Sequence, residues 1–94
     1  MSSPLTNAQK RDLKARAQKL EPVVKLGHGG MSPAFLQSLD QALAQHGLVK
    51  MKFTDFKDAR KELAPKIAAE TRSELVMQVG NVAVFFRTKE ERVE

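Results

Sequence analysis

The spacing of apolar residues along this chain switches between a helical and a strand period, and the switches mark out its elements. Leu13, Ala17 and Leu20 recur three or four apart, the interval that gathers side chains on one face of a helix. Ahead of them, Thr6-Asn7-Ala8-Gln9 has the spacing of a capping box, in which a hydroxyl and an amide side chain each satisfy a backbone N–H that the first turn leaves unpaired. A first helix is expected from about Asn7 to Leu20, stopped at Glu21-Pro22 because proline restricts the residue before it. Val23 to Leu26 reads as a short strand, Val24 and Leu26 on one side and Val23 and Lys25 on the other. Phe35, Leu36, Leu39, Ala42 and Leu43 then form a wide helical stripe, bounded by Ser32-Pro33 at the start and Gly47 after His46.

Strict alternation follows in Leu48 to Phe53, with Val49, Met51 and Phe53 on one side and Leu48, Lys50 and Lys52 on the other, the pattern of a half-buried strand. From Asp55 and Asp58, both capable of capping, to Arg72 the composition is helical, with Leu63, Ile67 and Thr71 on one face and Phe56 in line if the helix begins early. Pro65 falls inside that span, where it removes a hydrogen bond at a cost of roughly 3 kcal/mol, so a kink near Ala64 or a late start is expected. Leu75 to Val79 and Val82 to Arg87 are β-rich and separated by Gly80-Asn81, a tight hairpin pair. Alternation sets Leu75, Met77 and Val79 with Val82, Val84 and Phe86, and Val76, Gln78, Ala83, Phe85 and Arg87 on the other side. The charged tail, Thr88 to Glu94, is expected to fray.

The order α-β-α-β-α-β-β implies a two-layer α/β domain over residues 1–94, three helices packed on a four-stranded mixed sheet. Right-handed crossover makes the first two strands parallel.

The segment around which this order turns is Pro22-Val23-Val24-Lys25-Leu26-Gly27-His28-Gly29-Gly30-Met31-Ser32-Pro33. Gly27 and Gly30 define a G-x-x-G turn between strand and helix. Glycine lacks the Cβ that would hold a phosphate away from the main chain, and a helix N-terminus behind the turn adds unpaired N–H groups and partial positive charge. Gly27, His28, Gly29 and Gly30 are therefore candidate contacts for a nucleic-acid backbone, His28 by stacking or hydrogen bonding. Sixteen Lys and Arg against eleven Asp and Glu, a formal charge of +5, suit a polyanionic partner. Lys10, Arg11 and Lys14 gather on one edge of the first helix as the foremost candidates, with Lys25, Lys50, Lys52 and Arg87 as secondary ones. Of the five phenylalanines, four fall on core-facing positions and Phe85 is left as the one to be exposed, so no stacking platform is expected and readout should rest on backbone and shape.

Other chemistries fit poorly. Without cysteine there are no disulfides, thiolate zinc sites or thiol nucleophiles. His28 and His46 lack a convergent acidic motif that would complete a metal site, and His46 reads as a partly buried residue at a helix end. No carboxylate pair suggests acid/base catalysis, so the chain is expected to be a binder rather than an enzyme, with no cofactor and no metal. Met1-Ser2-Ser3-Pro4-Leu5 lacks the pattern of a signal peptide and no apolar run is long enough to span a membrane. A cytoplasmic location, no membrane partner and a monomeric free state are expected. Two alternatives remain: a module docking an acidic protein through its basic helix, and a small phosphate-ligand enzyme built on the glycine turn.

Leu20-Glu21-Pro22-Val23-Val24-Lys25-Leu26-Gly27-His28-Gly29-Gly30, with the alternating lysines of the next strand and Phe86-Arg87-Thr88-Lys89-Glu90-Glu91-Arg92, resembles the CRM domain, also called the YhbY-like family, over nearly the whole chain. The closing segment is similar to the family's Arg-x-x-Lys-Glu-Arg with one residue shifted or inserted. The resemblance implies an RNA-binding fold related to the C-terminal domain of bacterial translation initiation factor three, and a stand-alone bacterial type associated with ribosomal RNA or precursors of the large ribosomal subunit. By the same resemblance Gly27 to Gly30 matches the loop proposed to touch RNA.

Overall fold

The computed structural model describes residues 6–87. The chain runs α1 (Asn7–Ala17), β1 (Val24–Leu26), α2 (Pro33–His46), β2 (Leu48–Phe53), a 3-10 turn (Lys57–Ala59), α3 (Arg60–Glu70), β3 (Glu74–Val79) and β4 (Val82–Phe86). The strands form one mixed sheet in the order β1-β2-β4-β3. β1 lies parallel to β2 through the α2 crossover, whereas β4 is antiparallel to both β2 and β3. The tail from Thr88 onward, including most of the closing charged motif, and the Met1-to-Leu5 segment lie outside the described residues.

The α/β class and the four-stranded mixed sheet agree with the sequence pattern, but the helices divide between the two faces of the sheet, giving three layers where two were expected. Leu26, Phe53, Met51, Val49 and Phe85 pack under α2 and α3, with Phe35, Leu39, Leu43, Ala64 and Ile67. On the opposite face Leu48, Val76 and Val84 pack under α1 through Leu13 and Ala17. Burial on both faces explains the nearly unbroken apolar run Val82-Ala83-Val84-Phe85-Phe86, since a strand covered on both sides gains from apolar residues at every position. It also corrects two expectations: β2 is not simply half-buried, because Leu48 is covered, and Phe85 is fully buried.

The capping box of α1 forms as expected, Thr6 Oγ1 accepting from the Gln9 N–H at 3.1 Å and Gln9 Oε1 from the Thr6 N–H at 2.9 Å. The helix ends earlier than its apolar stripe suggested. After Ala17 the amides of Lys19 and Leu20 bond three residues back, to Arg16 and Ala17, and Lys50 Nζ donates to the carbonyls of Ala17 (3.4 Å) and Leu20 (3.2 Å). An ammonium on β2 thus supplies the donors that a helix end lacks, and Leu20 is left 38% exposed rather than in the core.

α2 has the expected bounds: Ser32 Oγ accepts from the Phe35 N–H at 3.2 Å, Pro33 occupies the first position, and Gly47 ends the helix at φ 78°. His46 is exposed rather than partly buried. α3 starts late, at Arg60 after the 3-10 turn, yet still carries Pro65 inside it. Pro65 is exposed, so the carbonyl one turn earlier, which loses its donor, faces the solvent side. Its C-terminus is a Schellman arrangement with Arg72 at φ 55°, Ser73 N–H bonding Ala68 O at 2.9 Å and Arg72 N–H bonding Ala69 O at 3.3 Å.

The hairpin turn at Gly80-Asn81 is present, with Gly80 at φ 56°. Its register departs from simple alternation: Met77 pairs with Val84 and Val79 with Val82, but Leu75 pairs with Phe85, not Phe86. Val76 is the extra residue of a β-bulge between Leu75 and Met77. The bulge turns Leu75 toward the α2/α3 core while Val76 and Met77 both pack toward α1.

Candidate nucleic-acid interface

Parallel pairing of β1 with β2 brings their C-terminal ends together, and both loops that leave those ends meet there. Loop Gly27–Gly30 follows β1, and Thr54, Asp55 and Phe56 follow β2. They are joined at Leu26, whose carbonyl accepts from the amides of Thr54 (3.0 Å) and Asp55 (3.2 Å) and from Thr54 Oγ1 (3.0 Å). The crevice beyond the carboxyl ends of parallel strands is where α/β folds tend to bind ligands.

Within the glycine turn the three glycines are not equivalent. The Gly30 N–H closes the turn onto Gly27 O at 3.0 Å, so it is not a free donor. Gly30 has φ 63°, and a Cβ on it would meet the Phe56 ring at 3.3 Å. At Gly27 a Cβ would meet Thr54 Oγ1 at 3.6 Å and at Gly29 Ser32 Oγ at 3.9 Å, ordinary contacts. Conformation therefore demands glycine at Gly30, whereas at Gly27 and Gly29 the fold would tolerate a side chain. The amides of His28, Gly29 and Met31 have no hydrogen-bond partner among the described residues. The N-terminus of α2 offers less than its position suggested: Pro33 has no N–H and Ser32 occupies that of Phe35, leaving Ala34 as the open donor of its first turn.

The cations sort into three groups. Val24 and Leu26 point into the α2/α3 core, so Lys25 faces the other way. It pairs in register with Lys52, which shares the β2 side of Lys50, the side on which Lys50 reaches α1. Lys25 and Lys52 are both exposed, adjacent, and at the end of the strands from which the glycine turn departs. Lys10, Arg11 and Lys14 form the second group. On α1 the flank of Gln9, Asp12 and Arg16 lines a shallow pocket together with Phe86, at the start of β2, since Phe86 pairs with Leu48. Lys10 and Lys14 lie on the opposite flank of the helix, and Arg11 on its outer side.

The third group is spent on the fold. Arg87 is 5% exposed, with its Nη2 donating to Asp40 Oδ1 at 2.7 Å and to the Thr71 carbonyl, and its N–H to Gly47 O at 2.9 Å. It ties β4 to α2 and to the end of α3, and is not available to a ligand. Alternation placed it on the correct side of the strand but could not show that this side is covered there. Lys50, with its ammonium on the α1 terminus, is likewise a structural cation first.

Two residues at this corner escaped the sequence pattern. Phe56 is 42% exposed at φ 56°, and Asp55 joins both loops: its Oδ1 accepts from the Phe56 N–H at 2.7 Å and its Oδ2 lies 3.4 Å from His28 Nδ1. A short polar linker after an alternating strand was the available signal for Phe56. The helical spacing that sets Phe56 in line with Leu63 points the other way. Among the described residues no group of three or more His, Asp or Glu could hold a metal ion, and no helix is long and apolar enough to cross a membrane.

Comparison with known proteins agrees with this architecture. A hypothetical protein of Staphylococcus aureus, described as a candidate RNA binder, has a solution structure that superposes with a TM-score of 0.78 at 34% identity, over 90% of each chain. A probable RNA-binding protein of Pseudomonas aeruginosa is 33% identical over 88% of this chain and 81% of its own length. One of Methanocaldococcus jannaschii is 37% identical over 92% of this chain and 66% of its own. The model of the CRS1 / YhbY (CRM) domain matches residues 5–87. With that match spanning most of its length, the chain belongs to the CRS1/YhbY (CRM) domain family.

Proposed function

We propose that this protein binds structured RNA by its sugar-phosphate backbone, using the turn Gly27–Gly30 and the lysines beside it, and that its target is ribosomal RNA or a precursor of the large ribosomal subunit. The observation that carries this reading is the adjacency of unpartnered amides at His28, Gly29 and Met31 to the exposed Lys25–Lys52 pair at one end of the sheet. Unpaired backbone N–H groups can hold a phosphate, most closely at Gly29, which has no Cβ, and the two ammonium groups neutralise the neighbouring phosphates. Lys10 and Lys14 extend the cationic surface from the flank of α1, with Arg11 on its outer side. The RNA partner follows the naming of the relatives, and the ribosomal target follows the family resemblance. The protein acts as a binding module rather than an enzyme, and ribosome assembly is the process in which such binding would serve.

Replacing Lys25 and Lys52 together with glutamine removes two charges from exposed positions and leaves the core untouched. On fragments of large-subunit ribosomal RNA the slope of log K against log salt should flatten by about 1.4 to 1.8, on the basis of 0.7 to 0.9 per phosphate contact. An unchanged slope would remove the lysine pair from the interface. Crosslinking in cells followed by sequencing of the attached RNA tests the ribosomal target; recovery of other transcripts alone would refute it, and partner capture surviving nuclease would favour protein docking through α1.

A further inference from the structure

We infer that Phe56, on the loop that Asp55 links to His28, forms a stacking subsite for one unpaired nucleobase of the RNA. This rests on the backbone-binding reading above and adds to it a selectivity for RNA that displays a base outside a continuous helix.

Phe56 is the exposed phenylalanine among the described residues: Phe35, Phe53 and Phe85 are buried and Phe86 packs toward α1. Its ring is not loose. Cε2 and Cζ lie 3.3 and 3.4 Å from the point where a Gly30 Cβ would stand, so one edge rests on the glycine turn while the side chain remains 42% exposed. The backbone beneath it is held in the left-handed region, uncommon for a bulky residue, by the Asp55 carboxylate on its N–H and by the Ala59 N–H on its carbonyl at 3.0 Å. The same carboxylate lies 3.4 Å from Nδ1 of His28, whose side chain is fully exposed. Asp55 thus meets the backbone of Phe56 and the ring of His28 on the adjoining loop, next to the open amides of the glycine turn.

A π-face beside a backbone-binding loop is the arrangement by which single-stranded nucleic acid is held without sequence readout, every base having a face to offer. A continuous A-form duplex keeps its bases stacked on one another, so only a loop, bulge or end can fill this subsite. The exposed ring, strained backbone and shared carboxylate have no evident role in the core.

The test uses the full chain and two RNA probes, a hairpin with a randomised six-nucleotide loop and a continuous duplex of the same stem. Phe56→Leu keeps apolar bulk against Gly30 and removes the ring, and Phe56→Tyr restores the ring. Wild type should prefer the hairpin. Phe56→Leu should lose about 5- to 100-fold on the hairpin with duplex affinity unchanged, and Phe56→Tyr should recover the loss. Fluorescence of 2-aminopurine placed in the loop should be quenched by wild type and not by Phe56→Leu. Equal hairpin binding by Phe56→Leu and wild type, while Gly29→Asp weakens both probes, would overturn the stacking subsite and leave the backbone reading standing. A Phe56→Leu loss equal on both probes would also overturn it, since it marks a ring that only shapes the turn. Gly29→Asp without effect on either probe would bring down both.

Discussion

Gly29→Asp places a carboxylate where the phosphate should sit, at a glycine the fold does not require. Gly29 is exposed, has no positive φ, and its added Cβ would meet only Ser32 Oγ, at 3.9 Å. Stability should therefore stay within about 0.5 kcal/mol of wild type, as for most surface substitutions. Binding should respond strongly. A carboxylate about 4 Å from a phosphate is repelled by about 1 kcal/mol at the dielectric of bulk water and about 4 kcal/mol at that of a protein surface, which spans roughly 5-fold to several hundredfold in affinity. Fluorescence anisotropy with labelled large-subunit RNA fragments across a salt series reads both affinity and slope, and the Gly29 variant should be weaker throughout and most so at low salt. Gly29→Ala separates charge from bulk, and should cost less than Gly29→Asp. If thermal unfolding of Gly29→Asp is unchanged and its RNA affinity also matches wild type at low salt, the glycine turn is not where the backbone lies.

The remaining predictions concern stability. Arg72→Gly should stabilise the protein by about 1 kcal/mol, seen as a higher urea midpoint at constant m, because a side chain at φ 55° carries a penalty that glycine lacks. Gly30→Ala should destabilise by about 1–2 kcal/mol or more, since it meets both a positive φ and the Phe56 ring, whereas Gly27→Ala should stay within about 0.5 kcal/mol. Arg87→Met should cost about 1–3 kcal/mol by leaving the buried Thr71 carbonyl without its donor, and urea unfolding should show the loss without any change in the salt slope for RNA.

The elements were legible where local chemistry decides them. The Thr6-to-Gln9 box, Ser32-Pro33, Gly47 and Gly80-Asn81 each set a boundary through a hydrogen bond or a φ value that only a few residue types supply. What escaped depended on partners remote in sequence. The end of α1 is fixed by Lys50 from β2, the role of Arg87 by Asp40 and Thr71, and the position of Leu75 by a bulge that no alternation pattern announces. Layering escaped for the same reason: Leu13 and Ala17 show that α1 buries a face, not which face of the sheet receives it. The glycine turn was visible as a motif, but the different demands on Gly27, Gly29 and Gly30 emerge only from the neighbours their Cβ atoms would meet. Phe56 was hidden by a helical spacing that continues into α3 although the helix itself does not reach back to it.

The central claim is tested most directly by following backbone amide resonances of the labelled protein while large-subunit ribosomal RNA fragments are added. The largest shifts are expected at His28, Gly29 and Met31, with smaller ones at Lys25 and Lys52, and these should fade together as salt is raised. Shifts that cluster instead around Arg16 and His46, with the glycine-turn amides unmoved, would contradict it.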